Sequence, residues 1–197
     1  MDIKGIRGGI VSMADKVGEM IDLVEEGFMK NKMELLTVAM QKEDEINKME
    51  KSLMEEILKL SMKTKDKGEL SNLSQVVEML ERMGDEASAL IERIEVKVAE
   101  KLLFAEEAVK QFNETYAAMK DSVVMMKRCL GAKDPALKDK VIENGFRVKG
   151  LVEQYRKEHA DRLVRGECTP MGANMYSDML DFTGNLARHS SNIVKLQ

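Results

Sequence analysis

Glu81 and Asp85 stand four residues apart in VVEMLERMGDEASALIERI (76–94), and Glu43, Asn47 and Glu50 follow one another at spacings of four and three in EDEINKME (43–50). On a helix such spacings put side chains on one face. The helix around 43–50 has an apolar seam of Leu36, Ala39, Glu43, Ile46, Glu50, Leu53, Ile57 and Leu60, in which two acids take positions suited to a core. An ionised carboxylate in a dry interior costs several kcal/mol unless it is paired or coordinated. If the two segments are antiparallel neighbours, Glu43, Asn47 and Glu50 meet Glu81 and Asp85 near mid-helix. An all-oxygen, carboxylate-rich donor set of that kind suits hard or borderline cations such as Mg, Mn, Fe or Zn in a divalent or trivalent state. The same spacings also fit ordinary exposed acids, with Lys42, Lys48, Lys51 and Arg82 close enough in sequence to form solvated ion pairs of little energetic worth.

The elements that must position these groups are long helices. The apolar residues Leu73, Val77, Leu80, Gly84, Ala87, Ile91, Ile94 and Val98 alternate steps of four and three, a coiled-coil-like seam. Gly84 and Ala87 are small, and a close neighbour beside Glu81 and Asp85 is the expected reason for an interior glycine. Breakers and caps divide the rest. Six helices are expected at about 9–31, 33–63, 71–99, 105–130, 135–164 and from about 173 to the end. Met13, Val17, Met20, Val24 and Phe28 mark the buried face of the first. KTKDKGEL (63–70) reads as a turn, 101–104 as a reversal, and GECTPMG (166–172) as a loop. Asp134 before Pro135 reads as an N-cap with proline at the first helical position. Short connections between long helices imply antiparallel neighbours. The predicted fold is an all-α, six-helix antiparallel bundle, one compact domain made of two three-helix repeats over 1–100 and 101–197.

The totals agree. Of 197 residues, 44% are hydrophobic and 34% charged, with two prolines and no tryptophan, and no alternating strand pattern gathers anywhere. The net charge of −4 makes nucleic acid an unattractive partner. No apolar run reaches the roughly 20 residues of a membrane span, and the N-terminus lacks a signal-peptide core. Cys129 and Cys168 form no C-x-x-C pair, which fits a reduced cytoplasmic setting. The 17 methionines fall mostly at helical spacing and read as core filling.

Enzyme motifs are lacking. His159 and His189 follow no E-x-x-H pattern of the kind di-iron bundles use, and both read as polar residues at helix interfaces. There is no Gly-rich phosphate loop, H-E-x-x-H or nucleophile motif. The expectation is a non-enzyme. A carboxylate-bridged metal-storage or redox bundle, or a metal-free helical scaffold, stands as the alternative.

L-E-R-M-G-D (80–85) closely resembles the L-E-R-I-G-D signature of the PhoU family of phosphate-transport regulators, and E-D-E-I-N-K-M-E (43–50) is similar to that family's E-x-x-x-D helix. Further on, 155–168 and 185–193 resemble the second repeat, most of all that of the cytosolic PhoU-like domain of bacterial Na⁺/phosphate cotransporters. The resemblance implies a six-helix bundle able to bind metal clusters through E-x-x-x-D motifs. It implies a cytoplasmic, homo-oligomeric regulator of phosphate homeostasis with transporter components and a sensor kinase as partners, in peripheral contact with a membrane transporter. Carried over by position, it assigns a first metal site to Glu43, Asn47, Glu81 and Asp85, with Asn47 where the family has Asp. In the second half Gly145, Gly184 and Arg188 stand at positions that are acidic in the family. Glu143, Asp178 and Asp181 could compensate, but nothing in their spacing requires it. A metal site is therefore expected in the first half and not in the second.

Overall fold

The computed structural model describes residues 1–64, 67–132 and 134–197. Its elements are α1 (Ile3–Lys30), α2 (Met33–Ser61), α3 (Gly68–Ala99), α4 (Glu106–Ala132), α5 (Pro135–Val164) and α6 (Pro170–Lys195), and there is no strand among the described residues. The all-α six-helix bundle read from the sequence is the fold. Three helices, α1, α3 and α6, begin earlier than expected. The Asp2 side chain caps α1 by accepting from the Gly5 amide at 2.7 Å, so the glycines at 5, 8 and 9 lie inside the helix. Thr169 caps α6 by accepting from the Gly172 amide at 3.1 Å, with Pro170 at the first turn. The predicted Asp134 cap accepts from the Ala136 amide at 2.9 Å. Lys101 adopts a left-handed φ of 52° where the chain reverses before α4. Residues 65 and 66 of the expected 63–70 turn, and residue 133, lie outside the described residues.

Contacts along the helices fix their directions. Met1 reaches Glu56 and Gly27 meets Leu36, so α1 and α2 are antiparallel. Arg7 bonds Glu69 near one end and Lys97 lies over Phe28 near the other, so α1 and α3 run parallel. In the second half Asn144 bonds Ser122 while Tyr155 bonds Glu114, and Gly145 meets Ser191 while Arg156 bonds Asp181. Hence α5 is antiparallel to both α4 and α6. The halves join through α1 against α4 and α3 against α6, whereas α2 touches only α1 and α3, and α5 only α4 and α6.

One continuous core runs through both halves. The predicted α1 face is buried throughout. The α3 seam is buried from Leu73 to Ile94, and only Val98, at the frayed end, is half-buried. Met13, Met20, Met83, Met119, Met126 and Met179 are fully enclosed, as core filling requires. Tyr116 of α4 is buried and donates its hydroxyl to the Ile21 carbonyl of α1 at 2.8 Å, a polar tie between the halves. Partly buried ion pairs add to the same joint: Lys120 with Asp22 and Glu25, and Arg93 with Asp178. Such pairs are each worth about 0–1 kcal/mol.

Gly84 differs from its expected role. A Cβ there would meet Ile46 Cγ2 at 3.4 Å, ordinary van der Waals contact, so close approach of helix backbones does not require glycine at that point. Gly27 is the tighter position, because a Cβ would lie 2.6 Å from Cδ2 of the fully buried Leu36 and 3.4 Å from the Lys32 carbonyl oxygen. Gly84→Ala is expected to hold or raise stability, by up to about 1 kcal/mol through helix propensity. Gly27→Ala is expected to lose about 1–3 kcal/mol through overpacking. Urea unfolding of both variants checks the contrast.

Candidate functional site

The α2–α3 seam brings the sequence-predicted acids together at one level. Ile46 packs on Gly84. Glu43, Asn47 and Glu50 flank Ile46 on α2, and Glu81 and Asp85 flank Gly84 on α3. All five lie at the rim: Asp85 is exposed, and Glu43, Asn47, Glu50 and Glu81 are half-buried. The two acids of the α2 seam are therefore partly solvated, which removes most of the burial cost that their seam positions suggested.

Their electrostatics set them apart from the acids around them. Burial raises the Glu81 carboxyl above its ordinary value, and the negative charges of Asp85, Glu50 and Glu43 push it further up, against a smaller pull from Arg82. Two nearby acids, Glu19 on α1 and Glu45 on α2, have basic partners instead. Lys16 and Lys42 bond Glu19, both at 3.0 Å, and hold its carboxyl low. Lys16 pairs with Glu45 at 3.3 Å with the same effect. Among the described residues no Lys, Arg or His forms an ion pair with Glu43, Glu50, Glu81 or Asp85. Lys42 is turned toward Glu19 and Glu45 instead. The solvated ion pairs that the sequence allowed are thus formed by other acids.

Asn47 donates its amide N–H to Glu43, so its side chain bridges along α2. Among the described residues no three His, Cys, Asp or Glu side chains converge on one point tightly enough to hold a metal ion. The donor chemistry nevertheless fits a hard cation: four carboxylates and one amide at a half-solvated seam, one carboxyl already raised by its neighbours' charge. Closing them around an ion takes rotamer changes in side chains that solvent leaves free to move.

The equivalent α5–α6 seam has a different composition. Gly145 of α5 lies against Ser191, Gly184 of α6 lies against Val152, and Arg188 is exposed, its guanidinium donating to Asn185 at 3.0 Å. Asp178 and Asp181 are engaged by Arg93 and Arg156 at 2.9 and 3.0 Å. Glu143 is exposed.

Both histidines are buried at helix interfaces, as read from the sequence. His159 accepts from Arg162 on Nδ1, lies 4.2 Å centroid to centroid from Tyr176, and points Nε2 toward Cys168 Sγ at 3.9 Å. Arg162 can only donate, so the neutral ring carries its proton on Nε2. His189 sits between α6 and α3 with Nε2 4.0 Å from Glu86, and its buried Nδ1 has no partner among the described residues. Burial, then the charge of Arg162, brings His159 down to about 4. Burial, then Arg188 and Arg82, does the same for His189. No local pattern marks the orphaned nitrogen, which depends on contacts between halves about 100 residues apart.

Comparison with known proteins places this geometry. The PhoU domain family matches residues 10–94, which include α2, most of α3 and every one of the clustered acids. No curated protein matches the chain. The PhoU protein of Pseudomonas aeruginosa superposes with a TM-score of 0.91 at 17% identity, covering 98% of this chain and 94% of that one. The phosphate transport system regulatory protein PhoU of Streptococcus pneumoniae gives 0.86 at 12%, covering 98% and 91%. A PhoU-like protein of Shewanella oneidensis gives 0.72 at 16%, covering 97% and 96%. At these identities the solved structures establish the fold: the chain carries a PhoU-domain match in its first half and has the PhoU fold over its length.

Both histidines are neutral in the fold where the unfolded chain would protonate them. The folded state therefore binds fewer protons between about pH 6.5 and 4. Stability is present above that window and lost as pH falls through it, on the order of 3 kcal/mol per histidine at the acid end. Glu86, raised by burial, offsets part of this. Urea unfolding between pH 7 and 5 is expected to show a smaller loss for His189→Gln than for the parent protein.

Proposed function

We propose that this protein regulates phosphate transport by contact with other proteins, as a non-enzymatic cytoplasmic bundle. The observation that carries the reading is the PhoU-domain match over 10–94, supported by agreement of the whole fold with a protein named as a phosphate transport system regulator. No helix among the described residues is long and apolar enough to cross a membrane, which suits a partner that meets a transporter from outside the bilayer. Transporter components and a sensor kinase are the proposed partners, and a homo-oligomer the proposed assembly, with 1–100 and 101–197 as its two repeats.

Metal binding belongs to the same proposal. Glu43, Glu50, Glu81 and Asp85, with Asn47, are the ligands for a divalent or trivalent ion, Fe, Mn, Zn or Mg. The raised Glu81 carboxyl and the lack of basic partners support the assignment. A bound cation would neutralise the mutual repulsion of these groups and lock α2 against α3 at the Ile46–Gly84 level. The second half, with Gly145, Gly184 and Arg188 in the matching seam, is proposed to bind no metal.

Deleting the gene in its host and measuring phosphate uptake at high external phosphate tests the regulatory reading. Altered uptake, restored by the intact gene, is expected, and unchanged uptake would count against it. Elemental analysis of protein purified without chelator tests the site. The Glu81→Ala/Asp85→Ala variant is expected to lose the bound metal, and retention should fall in acid as the carboxylates protonate. Equal metal content in parent and variant would remove the ligand assignment and leave the regulatory reading standing.

A further inference from the structure

The second half holds a cleft of about 400 Å³ on the α5–α6 seam, with Ile142, Val152 and the bare Gly145 and Gly184 in its walls. The geometry points to a binding site there for a phosphorylated small molecule with a flat apolar body, the chemistry of a nucleotide.

Three observations converge. The first is charge. The cleft is lined by Lys149, Arg156, Arg188 and Lys195 against only Glu153 and Asp181. Arg156 is bound to Asp181 at 3.0 Å, and Lys149 lies 3.7 Å from Glu153. Arg188 and Lys195 have no carboxylate partner among the described residues, and both are exposed. They stand on the same stripe of α6 as Asn192, at spacings of four and three, so two cations and an amide donor face the cleft over two helical turns. Two cations without an ion-pair carboxylate on one stripe give this cleft a cationic wall in a protein whose net charge is −4.

The second observation is Phe146. It lies in the cleft wall and is 69% exposed, whereas Phe28 and Phe112 are buried. An aromatic ring presented to solvent beside unneutralised cations offers a stacking face next to a phosphate anchor. The third is size. The cleft falls within the range of small-molecule pockets, about 300–1,000 Å³. Arg188 supplies the forked donors that suit phosphate oxygens. Phe146 and the Ile142–Val152 wall supply the apolar contact. Within this one chain the two equivalent seams then have opposite chemistry, carboxylates between α2 and α3 and cations between α5 and α6.

Isothermal titration of the full chain with ADP in EDTA, at moderate salt, tests the site without any contribution from metal. Saturable binding at one site is expected, with inorganic phosphate and adenosine each binding at least about tenfold more weakly, since each offers half of the recognised chemistry. Arg188→Glu should raise the Kd about tenfold or more, as expected for one lost charge-assisted hydrogen bond. Phe146→Ala should weaken ADP but leave the weak binding of inorganic phosphate unchanged. Both side chains are exposed, so both variants should fold. Lys110→Glu on α4, far in sequence from the cleft and 77% exposed along its side chain, is the charge-matched control and should bind like the parent. The proposal is overturned if ADP shows no saturable binding, if Lys110→Glu weakens it as much as Arg188→Glu, or if Phe146→Ala has no effect. It rests on the second half alone, so its failure leaves the regulatory and metal readings untouched.

Discussion

The cost of taking an ionised group out of water governs where this molecule can do chemistry. Six helices share one core, and along its seams a charged side chain would lose its hydration for no compensating partner. Charged groups are therefore held mostly at the rims, above all where an outer helix meets an inner one, and the buried Arg162 has Gln111 and His159 as hydrogen-bond partners. The α2 helix touches only α1 and α3, and α5 touches only α4 and α6, so each has one half-solvated edge running along its full length. The acids of the first half lie on one such edge. The cations of the second half lie on the other. Both lie beside apolar surface and still in reach of water.

That arrangement makes the two halves alike in shape and different in what they can hold. Around Ile46 and Gly84, like charges accumulate without a basic ion-pair partner, and burial together with their repulsion raises the Glu81 carboxyl. Around Gly145 and Gly184, the carboxylates of Glu153 and Asp181 are paired with Lys149 and Arg156, and Asp178 with Arg93. The joint between halves has no such asymmetry: it is apolar packing, the Tyr116–Ile21 hydrogen bond and a few partly buried ion pairs. Differences in charge between the two edges can therefore exist without disturbing the core that joins them.

Much of this was written locally in the sequence. A helix seam needs only periodicity, so Leu73 to Ile94 was legible, as were the Asp134–Pro135 start and the reversal after α3. The start of α1 was obscured by three glycines that look like breakers until the Asp2 cap is seen to hold the first turn. The start of α6 was obscured because Thr169 and Pro170 read as loop residues and also make a good cap. Glu43 and Glu50 fell on core positions of an idealised repeat, yet a straight helix drifts against that repeat, and both ended at the rim. The destination of Lys42, the orphaned His189 nitrogen and the cleft beside Phe146 depend on which helices become neighbours across the chain. No short-range pattern encodes them.

The outer helices are held less firmly than the inner helices they pack on. Along its length α5 buries six residues, one of them an arginine and one a histidine, whereas its neighbour α6 buries fourteen. Local opening begins where the fewest apolar contacts must be broken, so α5, like the other outer helix α2 with its five buried residues, is more ready to lift from the bundle than the helices it packs on. Whatever occupies the edge between α5 and α6 must hold a helix that is itself loosely held. Its binding energy then appears as α5 becoming more rigid, and an occupant can be sensed at a distance through the order of a helix it barely covers.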